Sequence, residues 1–103
     1  MDARLIALRK KVTPLLKPYA KRIAVFGSYA RGEETPQSDI DLLVTLKPSS
    51  RRPPLGLFGY IRLEQKLKNK LGREVDLVTE EGISPRVKSK VEKDRVILYE
   101  ESR

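Results

Sequence analysis

Cysteine and histidine are both missing from the sequence. Disulfides, thiolate nucleophiles, zinc sites of the usual Cys/His kind and imidazole acid–base catalysis are thereby excluded. Any chemistry must rest on carboxylates, hydroxyls and bases. Aromatic residues are scarce, at 6%, and no stacking motif for single-stranded nucleic acid is visible, so RNA binding would rest on charge alone. No long apolar run occurs that could cross a bilayer. The opening segment "MDARLIALRKKV" has neither the continuous hydrophobic stretch nor the small-residue cleavage site of a secretory signal. A cytoplasmic protein with no membrane association is the expectation.

Acidic residues are outnumbered, 14 against 22 Lys and Arg, for a net charge of +8. The excess is uneven: residues 1 to 31 hold eight Lys or Arg against one Asp. Such an end either forms a solvated helix face or attracts anions such as phosphate. With 39% apolar and 35% charged residues over 103 positions, the chain is expected to form a single domain, 1–103, around one modest core.

Apolar periodicity supplies the elements. Leu5, Leu8, Val12, Leu15, Leu16 and Tyr19 recur three or four apart, the stripe of an amphipathic helix. Pro14 and Pro18 predict a break or kink near Val12 to Thr13. "RIAVFG" reads as a strand from Ile23 to Phe26, and Asp39 to Leu46 as a second, with Ile40, Leu42, Val44 and Leu46 on one face. "KPSSRRPP", residues 47–54, is a stiff basic connection, either a functional flap or a linker. From Leu57 the positions Tyr60, Ile61, Leu63, Leu67 and Leu71 repeat at helical spacing, ending at Gly72 as a left-handed cap. Residues 73–79 form a third strand, Ser84 and Pro85 open a short helix, and Val96 to Tyr99 form a last strand. The fold class is α/β: a small mixed sheet of about four strands flanked by helices.

Connection lengths then gather particular residues. Only 11 residues, Ser28 to Ser38, separate the first two strands, fewer than a parallel crossover usually needs. These strands are expected to be antiparallel, which brings Gly27-Ser28 and Asp39-Ile40-Asp41 to one end of the sheet. A whole helix separates strands two and three, the pattern of a right-handed parallel crossover. Asp76, near the start of strand three, can then face Asp39 and Asp41.

Aspartates two apart on a strand project to one face with alpha carbons about 6.5 to 7 Å apart. Three uncompensated carboxylates raise one another's proton affinity, so keeping them charged at neutral pH calls for divalent cations. Mg²⁺ suits them best, because it prefers carboxylate oxygens and is commonly completed by substrate phosphates. Two such ions can activate an attacking hydroxyl and stabilise a leaving phosphate. Gly27 allows the backbone close to phosphate oxygens, Ser28 offers a hydroxyl and an amide, and "SYARG" can form one helical turn with free N–H groups. Arg31 either adds a cation to that site or braces the turn. Each feature alone is more often a plain turn or a solvated strand edge. Their convergence on one sheet end carries the reading.

Gly27-Ser28, ten intervening residues and Asp39-Ile40-Asp41 resemble the signature of the minimal nucleotidyltransferases, small relatives of the DNA polymerase beta superfamily. The similarity extends through "GLFGYIRLEQKLKNKLGREVDLV" and "ISPRVKSKVEKDRVILYE", covering about residues 21 to 100. The resemblance implies a polymerase-beta-like fold, with Asp39, Asp41 and Asp76 as catalytic metal ligands and Gly27 and Ser28 as triphosphate contacts. It further implies AMP transfer from ATP to a hydroxyl acceptor, with pyrophosphate released. Members of this subgroup act as antitoxins of HEPN-domain ribonuclease toxins, by forming a complex and by adenylylating a toxin tyrosine. A catalytically silent antitoxin that works by occlusion is the alternative. The resemblance does not extend to the helical domain with which larger superfamily members enclose the base, so it leaves base selectivity and acceptor binding open, along with whether a partner subunit completes the site.

Overall fold

The computed structural model describes residues 1–102. Helix α1 (Ala3–Leu16) is followed by strand β1 (Ala20–Phe26), the short helix α2 (Gly27–Arg31), strand β2 (Ile40–Leu46), helix α3 (Leu57–Leu71), strand β3 (Val75–Thr79), helix α4 (Pro85–Asp94) and strand β4 (Val96–Glu100). The four strands form one mixed sheet in the order β3-β2-β1-β4. β1 lies antiparallel to both β2 and β4, and β2 lies parallel to β3 across the α3 crossover. The antiparallel hairpin and the parallel crossover are those that the connection lengths predict.

Strand alternation divides the core. Ile23 and Val25 of β1, Ile40, Leu42 and Val44 of β2 and Val75 and Leu77 of β3 join Leu5, Leu8, Val12 and Leu16 of α1 and Leu63 and Leu67 of α3. On the opposite face Ala24 and Leu43 pack with Val91 of α4. Helices α1 and α3 therefore cover one face and α4 part of the other. Each helix has a cap in its own sequence. The Leu5 N–H donates to Asp2 Oδ1 at 2.9 Å, the Val87 N–H to Ser84 Oγ at 3.3 Å with Pro85 beginning α4, and Gly72 ends α3 with φ +66°.

Two sequence expectations need correction. No break occurs near Val12: α1 continues through Pro14 to Leu16. Pro14 lies in the last turn, so its missing N–H costs one bond, to the Lys10 carbonyl, while Val12 and Leu16 on either side are fully buried. Burial at those two positions outweighs the lost bond. The stripe of α3 is also narrower than its spacing implies. Leu63 and Leu67 are buried, whereas Leu57, Phe58 and Ile61 remain 72%, 74% and 51% exposed. The basic connection 47–54 forms a short 3-10 turn at Ser49–Arg51, tied by Arg51 to Glu101 at 3.0 Å and by Arg52 Nε to the Lys47 carbonyl at 2.8 Å.

Candidate active site

At the end of β1 the chain must turn sharply, and Gly27 does so with φ +74°, a region that side chains disfavour. Gly27–Arg31 then forms the short helix that "SYARG" predicts, closed by Gly32 at φ +73°, whose N–H donates to the carbonyls of Ser28 and Tyr29. Phe26 stands opposite Asp41 in the β1–β2 ladder, so this turn lies beside the start of β2. Gly27 has to be glycine for a second reason. A Cβ there would collide with the Asp41 carboxylate and reach 3.3 Å from its Cγ.

Asp41 and Asp76 occupy the same rung of the parallel β2–β3 pair. Their neighbours Ile40, Leu42, Val75 and Leu77 belong to the α1/α3 core, so the two aspartates project to the face that carries α4. Asp39, two positions before Asp41, falls on that side by the same alternation. The electrostatics agree with the placement. Burial first, then the negative charges of Asp76 and Asp39, raise the Asp41 pKa from 3.8 to about 6, with Arg31 pulling it back down. Three carboxylates therefore share a neighbourhood, as the connection lengths predict, and the Arg31 guanidinium lies close enough to act on Asp41.

Asp76 sits on an edge strand whose backbone is secured from α3. The Tyr60 hydroxyl donates to the Leu77 carbonyl, and the Leu77 N–H donates to Glu64 Oε2 at 3.3 Å. Burial, with the charges of Glu64 and Asp76, pushes the Tyr60 hydroxyl pKa up. Such bonds satisfy an otherwise open strand edge next to Asp76.

Arg31 makes two ion pairs, to Glu33 at 2.8 Å and to Asp94 at 2.7 Å. The second ties α2 to the end of α4. Glu33 lies two residues from Arg31 and is within reach of sequence reasoning. Asp94 is separated by 63 residues, and nothing in the spacing points to it.

Among the described residues no group of three acidic side chains is drawn together tightly enough to cage a metal by itself. The donor set nevertheless fits Mg²⁺. It consists of carboxylate oxygens alone, and Mg²⁺ is bound through one or two carboxylates plus substrate phosphates rather than in an all-protein cage. A separate cavity of about 460 Å³ opens at the other end of the sheet, among Lys21, Arg22, Thr45, Arg51, Glu80, Glu100 and Glu101. Its charges pair with one another, Arg22 with Glu100 and Arg51 with Glu101, so it presents no comparable unbalanced charge.

Residues 5–98 match the nucleotidyltransferase domain model. The chain belongs to the nucleotidyltransferase family. It is 41% identical over 93 residues to a Methanocaldococcus jannaschii protein named "putative protein adenylyltransferase", covering 88% of this chain and 90% of that one. Among solved structures, it superposes with a TM-score of 0.76 on a chain of a toxin–antitoxin crystal structure with AMP-PNP, at 29% identity over 91% of this chain and 74% of that one. It also superposes, at TM-score 0.70 and 26% identity, on a chain of a Shewanella oneidensis complex between a tri-AMPylated HEPN toxin and its MNT antitoxin, covering 93% of this chain and 72% of that one. The nucleotidyltransferase fold with its four-stranded mixed sheet is thus the one that the sequence resemblance implies. No helix among the described residues is long and apolar enough to cross a membrane.

Proposed function

We propose that this nucleotidyltransferase is a Mg²⁺-dependent protein adenylyltransferase that moves AMP from ATP to a hydroxyl of a protein partner, a tyrosine of a HEPN-type toxin, and so acts as its antitoxin. The observation that carries this reading is the convergence of Asp39, Asp41 and Asp76 on one sheet face beside the Gly27-Ser28 turn. Asp39 and Asp41 would hold the ion that accompanies the triphosphate, and Asp76 would complete the set. Mg²⁺ bound there would supply charge neutralisation at the phosphates and activation of the acceptor hydroxyl. Gly27 admits the phosphates to the backbone, and Ser28 donates to them through its hydroxyl and N–H. Arg31 places a positive charge beside this cluster. In the reaction the acceptor oxygen forms a bond to the α-phosphorus, the α–β anhydride bond breaks, pyrophosphate departs, and the hydroxyl proton passes to a carboxylate. Family resemblance and the relatives' names support the AMP donor and the toxin acceptor.

The test is transfer of label from α-labelled ATP to the partner, with and without Mg²⁺. Asp39→Asn combined with Asp41→Asn is expected to lower the rate at least about 100-fold, the scale of losing an electrostatic contributor to the transition state. Undiminished transfer by that double variant would rule the reading out. A second reading, in which the domain neutralises its partner by occlusion alone, is favoured by the exposed apolar residues Leu57, Phe58 and Ile61 at the start of α3. In that case the double variant would protect cells from the toxin as well as the native chain does.

A further inference from the structure

Three residues outside the carboxylate set connect the two halves of the site. Arg73, on the connection between α3 and β3, donates through Nη1 to the carbonyls of Thr35 at 3.2 Å and Ser38 at 3.3 Å. Those carbonyls belong to a closed turn. The Ser38 N–H donates to the Thr35 carbonyl at 3.0 Å, and the Thr35 N–H to Ser38 Oγ at 2.8 Å. Asp39 follows at once, and the next residue, Ile40, donates its N–H to the Glu74 carbonyl at 3.0 Å. Arg73 and Glu74 thus hold the chain on both sides of Asp39.

The same guanidinium reaches the other half of the site. Arg73 Cζ lies 5.7 Å from the centre of the Tyr29 ring, and Arg4 Cζ lies 4.6 Å from it. Tyr29 directly follows Ser28 in α2. Arg4 Nη1 also donates to the Tyr29 carbonyl at 2.8 Å and pairs at 3.2 Å with the buried Oε1 of Glu34. Two cations thus engage one aromatic ring, and each also grips the chain between α2 and β2.

We infer that Tyr29, Arg73 and Arg4 are positioning residues: a clamp that sets the Gly27-Ser28 turn against Asp39, so that phosphate contacts and carboxylates meet the same nucleotide. This inference rests on the adenylyl-transfer reading for its consequence, but the clamp itself is a statement about local rigidity. Connections among the contacts support it. The ring belongs to the turn, the guanidinium to the crossover, and the gripped carbonyls to the segment that delivers Asp39.

Amide hydrogen exchange of the full chain, read residue by residue by NMR, provides a test that needs no activity. In Arg73→Ala the Ser38 and Ile40 amides should exchange about tenfold faster or more, the effect of removing bonds from a charged donor. The Ile23 and Val25 amides in the sheet centre should be unaffected. Tyr29→Phe keeps the ring and should match the native chain, whereas Tyr29→Leu should reproduce Arg73→Ala. Arg73→Lys, a milder change that retains the charge but not the planar fork, should accelerate the same two amides to a lesser degree and serves if the alanine variant does not fold. In parallel, the Mn²⁺ half-saturation measured by EPR with AMP-PNP should rise about 10- to 100-fold in Arg73→Ala, as for other residues that orient metal ligands. Unaltered Ser38 and Ile40 exchange in the folded variants would overturn the clamp. If the native chain takes up no Mn²⁺ and AMP-PNP, the adenylyl-transfer reading fails instead, and the exchange comparison still decides the clamp.

Discussion

Asp41 and Asp76 stand opposite each other on one rung of the parallel β2–β3 pair, two carboxylates on adjacent strands. Adjacent strands are only about 4.8 Å apart, so ionising both is costly without a counterion. Burial first, and then this repulsion from Asp76 and Asp39, raises the Asp41 pKa to about 6 against an ordinary 3.8.

The first prediction follows from the sign of this shift. Because the folded state binds the Asp41 proton more tightly than the unfolded chain, stability from this group is fully present below pH 3.8 and is lost as pH rises through about 6. The gap corresponds to at most about 3 kcal/mol, less after solvent screening of a half-buried group. Asp41→Asn should therefore stabilise the metal-free protein at pH 8 and make little difference at pH 4, as measured by urea unfolding at both values. Added Mg²⁺ with a nucleotide should narrow the difference at pH 8 by stabilising the native chain alone.

Gly27 gives a second prediction. Alanine at this position would be strained at φ +74°, by about 1–2 kcal/mol, and would force the Asp41 carboxylate to rotate away. Gly27→Ala should thus lose about 1–3 kcal/mol of stability and lose nucleotide binding out of proportion, because the displaced group is a proposed ion ligand. Calorimetric titration with Mg²⁺ and AMP-PNP, at a temperature where the variant is fully folded, separates the two effects.

The features legible in the sequence were those set by short range. An 11-residue connection implied the β1–β2 hairpin, a helix-length insertion implied the parallel crossover, and Gly72 and Ser84-Pro85 marked helix ends. From these the meeting of Asp39, Asp41 and Asp76 with Gly27-Ser28 follows. Strand order was not legible, because β4 pairs with β1 across some seventy residues and no local signal chooses that edge. Distance in the chain likewise concealed the partners of Arg31 and Tyr29: Asp94, Arg4 and Arg73 read as ordinary surface charges until the fold brings them together. Pro14 misled for a different reason. Helix propensity is local, and the burial of Val12 and Leu16 that overrides it is tertiary.

That override makes a third prediction. Pro14 is exposed and leaves the Lys10 carbonyl without its helical partner. Pro14→Ala should restore that bond while giving the unfolded chain more freedom, for a net gain of about 1–2 kcal/mol. The midpoint of denaturant unfolding should rise with no alteration in its slope, since the surface exposed on unfolding stays the same.

Arg31 yields the last prediction, through a separation of charge from scaffold. Its guanidinium opposes the raised Asp41 pKa, while its bond to Asp94 holds α2 to α4. Removing the residue removes both effects; removing Asp94 removes only the second. Arg31→Ala should therefore raise the Asp41 pKa above about 6 and move the acid limb of nucleotide-dependent Mg²⁺ binding to higher pH. Asp94→Ala should leave that limb in place or move it slightly lower, because the guanidinium remains and has lost a competing carboxylate. Carbon-detected NMR titration of Asp41 measures the shift directly. Equal upward shifts in both variants would mean that the seating of α4, rather than the charge of Arg31, governs how readily Asp41 ionises.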